Sequence, residues 1–133
     1  MKRVAYICEH NSCRSQIAEA LSRHFAGSVF ESYSAGTYIK TEINQDAVRL
    51  VKQLYGFDMS LIQRPKLVNV LPKIDIIVAM GCNVNCPQLS VAYRELWEIE
   101  DPSKKSDEEF IKVIKEIESK VIALRDKFKG NKQ

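Results

Sequence analysis

Val4-Ala5-Tyr6-Ile7-Cys8-Glu9-His10-Asn11-Ser12-Cys13-Arg14-Ser15 is the stretch on which the fold of this 133-residue chain turns. Val4 to Ile7 is short, apolar and β-prone, which predicts a buried strand over about Arg3–Ile7. From Ser15 onward, Ile17, Ala18, Ala20, Leu21 and Phe25 recur at helical spacing, predicting a helix over about Ser15–Ala26. The residues between are therefore a strand-to-helix loop. Such a loop turns successive backbone N–H groups and a helix N-terminus towards one point, where an anion is favoured. The same field favours a thiolate at Cys8, and Arg14 adds a planar fork matched to two oxygens of a tetrahedral anion. A competing reading makes Cys8 an ordinary buried cysteine, but strand, Cys, loop, Arg, Ser and helix in sequence favour an oxyanion site.

Outward from this loop the pattern continues to alternate. Val29–Ser34 reads as a second strand ending at Ala35-Gly36. Asn44 is placed to cap a helix that runs to Tyr55 and stops at Gly56. Pro65 and Pro72 bracket a loop or short helix carrying Leu67, Val68 and Leu71. Ile74–Met80 reads as a central strand and Arg94–Ile99 as a last, partly exposed one. A long helix is predicted from about Ser106 to Phe128, with Ser106 and Glu109 as a capping box. Strands alternating with helices imply a parallel sheet covered on both faces, with binding outside the carboxyl ends of the strands. The Cys8 loop, Gly81-Cys82 and Asp101 all fall at that edge.

Composition narrows the class. The length predicts a single domain over residues 1–133, and 45% hydrophobic with 28% charged residues is ordinary for a globular chain. No stretch has the length or apolarity of a membrane span, and no secretory pattern opens the chain, so no membrane association is expected. The net charge of +3 is too small to imply nucleic acid. The four cysteines fall in two local pairs, Cys8/Cys13 and Cys82/Cys86, which suits catalytic or metal-binding thiols in a reducing cytoplasm better than a disulfide framework. Zinc shared by both pairs is disfavoured by the spacings, four residues within the first pair and three within the second. No metal and no cofactor are expected.

Cys8 through Ser15, Ser34-Ala35-Gly36, the cysteine segment from Met80 to Pro87, and Trp97 through Pro102 together resemble the low-molecular-weight tyrosine phosphatase superfamily, and within it the arsenate reductases. The resemblance implies a three-layer, flavodoxin-like α/β fold with a four-stranded parallel sheet flanked by helices. It implies that Glu9, His10, Asn11, Ser12, Cys13, Arg14 and Ser15 cradle arsenate or phosphate, with Ser15 donating to the Cys8 thiolate. Cys8 is then the nucleophile, Arg14 the anion clamp and Asp101 the general acid; composition alone favours Asp101 before Pro102 simply opening a turn, and the resemblance reverses that. Cys82 and Cys86, which a simple phosphatase does not need, become a relay that passes two electrons outward to a thioredoxin- or glutaredoxin-type reductant. A phosphatase acting on phosphotyrosine or small phosphoesters is the alternative, and a non-catalytic thiol sensor or zinc module a third. A monomer is expected.

Three residues and one stretch stay open or depart from the family pattern. Cys13 is either packing or a reversible partner for Cys8. Glu9 and His10 stand where relatives carry small or neutral residues, often glycine. A carboxylate there is expected to weaken anion binding, and a side chain at His10 to strain the turn. Leu61-Ile62-Gln63-Arg64 lacks the histidine many relatives carry, so support of the loop from that side is in question.

Overall fold

The computed structural model describes residues 1–38, 40, 42–81 and 91–129. Strands β1 (Lys2–Cys8), β2 (Phe30–Gly36), β3 (Ile76–Met80) and β4 (Tyr93–Trp97) form one parallel sheet in the order β2-β1-β3-β4. Helices α1 (Arg14–Ala26), α2 (Gln45–Tyr55) and α3 (Asp107–Lys129) pack against it. β1 is central and buried from Val4 to Cys8, which accounts for its unbroken apolar run. In register, Cys8 lies beside Gly36 of β2, so the first two sequence motifs meet at one edge of the sheet.

The main core joins the buried stripes of all three helices to Val4, Tyr6, Val78 and Met80 on one face of the sheet. Ile17, Leu21, Phe110, Ile114 and Ile117 are fully buried there, each stabilising the fold by about 1.5–3 kcal/mol relative to exposure. The opposite face, Ala5, Ile7, Ala35 and Ile77, is covered by Ile74, Val68, Leu71 and Val91. Val68 belongs to a 3-10 turn (Val68–Val70) between the two prolines, the short element expected there.

Helix ends follow the residues that cap them. Asn44 accepts a hydrogen bond from the Ala47 N–H at 3.0 Å, and Gly56 ends α2 at φ +86°. Ser106 Oγ accepts from the Glu109 N–H at 3.2 Å at the start of α3. β3 begins two residues later than its apolar run, because Asp75 is engaged by Arg3: the Arg3 N–H donates to the Asp75 carboxylate and the Asp75 N–H to the Arg3 carbonyl, both at 2.9 Å. β4 ends at Trp97, two residues short of the predicted Ile99, whose carbonyl is used elsewhere.

Candidate active site

β1 delivers Cys8 to the carboxyl edge of the sheet, and α1 begins at Arg14 with no acidic residue in its first turn and no side chain capping its N-terminus. That leaves the positive end of the helix at the wall of a cavity of about 360 Å³ lined by Cys8, Glu9, His10, Ser12, Cys13, Arg14, Lys40, Asp101, Ser103 and Lys104. Of the residues predicted from sequence, Cys8, Arg14 and Asp101 are thus brought together. Cys82 and Cys86 lie outside the described residues. Lys40, Ser103 and Lys104 join the wall as well; of these, only Lys40 lacked any nearby motif to mark it.

The thiol is held from below. Cys8 Sγ and Ser15 Oγ are 2.8 Å apart, and Asn11 Nδ2 donates to Ser15 Oγ at 2.8 Å. Asn11 itself is buried with φ +53°, a left-handed conformation that asparagine adopts more readily than most residues. His10 does not share that conformation. The expected strain at His10 is therefore absent, because the turn that needs a positive φ lies one residue later. Glu9 is exposed at the rim, and its carbonyl accepts from the Tyr38 N–H at 2.8 Å. Ser15 and Asn11 are buried; neither faces the cavity.

Arg14 is clamped by its surroundings. Its Nη1 donates to the Ile99 carbonyl at 2.9 Å. Behind it runs Gly81 at φ +78°, where a β-carbon would come within 2.3 Å of Arg14 Nη1. The positive φ favours glycine at 81, and a side chain there would push the Arg14 guanidinium off its place. Gly36 plays the same part on the other side: a β-carbon there would meet the Glu9 carbonyl oxygen at 2.8 Å and the Asn11 nitrogen at 2.9 Å. The Ser-Ala-Gly motif that ends β2 is thus the surface on which the loop backbone rests.

Asp101 lies across the cavity in a turn, its Oδ1 accepting from the Ser103 N–H at 3.0 Å and the Ser103 hydroxyl at 2.8 Å. Partial burial pushes its carboxyl up, but the Ser103 donors and the Arg14 and Lys40 charges outweigh this and hold it below the ordinary carboxylate value. Cys13 is buried, and its thiol is pushed up to about 12, by burial first and by the Asp101 charge second. It is a packed thiol in this structure, and both Cys8 and Cys13 are free.

A second buried polar group lies behind the loop. Gln16, Glu19, Ser34 and Gln63 are all buried, and Ser34 Oγ donates to Glu19 Oε1 at 2.6 Å. Arg23 and Lys66 both pair with the Glu19 carboxylate, Lys66 at 3.6 Å. In the sequence, Gln16, Glu19 and Gln63 carry no motif of their own, and Ser34 stands out only as the start of Ser34-Ala35-Gly36. Among the described residues, every buried side-chain nitrogen and oxygen has a partner, and no helix is long and apolar enough to cross a membrane.

The profile of the low molecular weight phosphotyrosine protein phosphatase family matches residues 3–133. Arsenate reductase 1 of Staphylococcus epidermidis is 35% identical over 126 residues, covering 90% of this chain and 92% of its own. A solved structure of an arsenate reductase in the phosphate binding state superposes with a TM-score of 0.87 at 28% identity, over 96% of this chain and 99% of that one. The thioredoxin-dependent arsenate reductase of Corynebacterium glutamicum superposes at 0.79 with 30% identity, over 97% of this chain and 62% of its own. With a thiol, a clamped arginine and a carboxylate around one cavity on this sheet, the chain belongs to the low molecular weight phosphotyrosine protein phosphatase family, and the relatives it matches there include arsenate reductases.

Proposed function

We propose that the protein is an arsenate reductase working by a thiol relay in the cytoplasm. The observation that carries this reading is the 35% identity to an arsenate reductase across nine-tenths of the chain, joined to a Cys8–Ser15 contact of 2.8 Å beside Arg14 in an anion-sized cavity. The Cys8 thiolate attacks arsenic, forming a sulfur–arsenic bond and expelling one oxygen as water. Arg14 and the N-terminus of α1 hold the remaining oxygens. Asp101, a carboxylate in the resting pocket, takes up a proton as the anion enters beside it and passes that proton to the leaving oxygen.

Cys82 then attacks Cys8 Sγ. A Cys8–Cys82 disulfide forms, the sulfur–arsenic bond breaks, and its electron pair leaves with arsenic as arsenite. Cys86 attacks Cys82 in turn, freeing Cys8 and leaving a Cys82–Cys86 disulfide for a thioredoxin- or glutaredoxin-type dithiol to reduce. The position of Gly81 against Arg14 supports this order, since Cys82 is the next residue in the chain. In sum, arsenate and a dithiol become arsenite, a disulfide and water.

Mass spectrometry of reduced protein mixed with arsenate, with no external reductant, tests the scheme. A Cys82–Cys86 disulfide is expected in the wild type and a trapped Cys8–Cys82 disulfide in Cys86→Ser. If arsenate leaves all four cysteines reduced while para-nitrophenyl phosphate is turned over through Cys8, the phosphatase reading replaces this one; the family match and a pocket of Cys8, Arg14 and Asp101 already suffice for that chemistry.

A further inference from the structure

Five links, two of them doubled, join Arg23 to Cys8 behind the loop, and the first four share one donor direction. Arg23 Nη1 donates to Gln63 Oε1 at 2.8 Å. Gln63 Nε2 donates to Gln16 Oε1 at 2.7 Å and to the Gln16 carbonyl at 3.1 Å. Gln16 Nε2 donates to Asn11 Oδ1 at 2.9 Å and to the Asn11 carbonyl at 3.0 Å. Asn11 Nδ2 donates to Ser15 Oγ at 2.8 Å, and Ser15 Oγ lies 2.8 Å from Cys8 Sγ.

The polarity of this chain is imposed at its far end. A guanidinium has five donors and no acceptor, so Gln63 must turn its oxygen to Arg23 and its NH₂ group inward. Gln16 must then do the same, and Asn11 after it. With the Asn11 NH₂ group on one lone pair of Ser15 Oγ, the hydroxyl proton can turn to the cysteine sulfur, and against a thiolate, which carries no proton, it is the donor of that pair. A hydroxyl aimed this way stabilises thiolate over thiol. Aligned bonds of this kind also polarise one another away from water, and Asn11, Ser15, Gln16 and Gln63 are all buried. A second donor, the Lys66 N–H at 2.9 Å from Asn11 Oδ1, points the same way.

We infer that Gln63 and Gln16 are positioning residues that carry the donor polarity of Arg23 through Asn11 and Ser15 to the Cys8 sulfur, keeping it reactive as a thiolate. This rests on the reading of Cys8 as the nucleophile and adds three residues to it. The loop is thereby supported from the Leu61–Arg64 side by neutral amides. Glu19 shares Arg23 and balances its charge without entering the chain.

Gln63→Glu tests this at almost constant shape. A carboxylate accepts from Arg23 but cannot donate to Gln16, whose amide must then turn over and set its oxygen against Asn11. Gln63→Met, which makes neither bond, is the second variant. The readout is the rate of Cys8 alkylation by iodoacetamide across pH, located by peptide mass spectrometry, with folding followed by far-UV circular dichroism. Near neutral pH, alkylation is expected to slow about tenfold in both variants, the size of one weakened hydrogen bond to a charged group. At strongly alkaline pH the rates should converge with the wild type.

Profiles superimposable on the wild type in either folded variant overturn the inference. So does loss of folding in both, since the chain would then serve the fold and not the thiolate. The assay needs no arsenate: if arsenate consumption fails in the wild type while the profiles separate as expected, the reductase reading falls and the hydrogen-bond chain from Arg23 to Cys8 stands.

Discussion

At the scale of single residues, the two thiols of the loop are made different by what surrounds them. Both are buried and both line the cavity, but Cys8 ends a strand with the Ser15 hydroxyl beside it, whereas Cys13 lies near the Asp101 carboxylate. A thiol whose folded value is raised to about 12 from an ordinary 9.0 keeps its proton longer in the folded state than in the unfolded one. Its contribution to stability is therefore complete below pH 9.0 and is lost as pH rises through about 12, at about 1.4 kcal/mol per pH unit. Cys13→Ser is expected to flatten that alkaline decline in urea-denaturation midpoints measured between those limits. An unchanged slope would mean that Cys13 is not buried as described. Glu9 shows the opposite case, a charge placed by sequence in the loop whose side chain stays at the exposed rim.

Elements are where sequence and structure agree most closely, and where their disagreement has a physical cause. The three helices, the buried central strands and the Cys8 loop follow from spacing, caps and one apolar run, because burial there obeys the periodicity of the backbone. The 3-10 turn Met59–Leu61 and the strap behind it do not: Leu61 is 80% and Ile62 67% exposed, while Gln63 is 6% exposed. Apolar outside and polar inside inverts the pattern on which periodicity reading depends. Gln63 is buried only because Arg23 and Gln16 arrive from another element to satisfy it, and long-range partners leave no local signal. Asn44, by contrast, was legible as a cap, and the structure adds that its N–H donates to the Ser12 carbonyl at 2.7 Å. It therefore fastens α2 to the loop as well as starting the helix. Asn44→Ala is expected to cost about 1 kcal/mol in urea denaturation, with Asn44→Ser recovering most of it; equal midpoints for Ala and wild type would show that the cap carries no net weight.

On the scale of the whole molecule, the cavity is a meeting of parts that are distant in the chain. β1 and α1 contribute the loop, Gly36 of β2 its floor, Gly81 after β3 the backing of Arg14, and the segment after β4 the Ile99 carbonyl and Asp101. A parallel sheet brings all of these to one edge, since every strand ends on the same side. An anion bound there joins contributions from across the sheet, so it should stabilise the entire fold and not the loop alone. Binding to the folded state alone is worth about 2.7 kcal/mol at a hundredfold excess over Kd, which for a chain of this length raises Tm by roughly 10 °C. Phosphate also stabilises proteins without a site, by exclusion from their surface, so the comparison needs a variant of equal charge. Arg14→Lys keeps the cation but loses the planar fork and its hold on Ile99. Across a phosphate titration followed by thermal melting, the wild type is expected to show a saturable rise in Tm and Arg14→Lys less than half of it. Parallel rises in the two proteins would place the stabilising phosphate somewhere other than the Arg14 pocket.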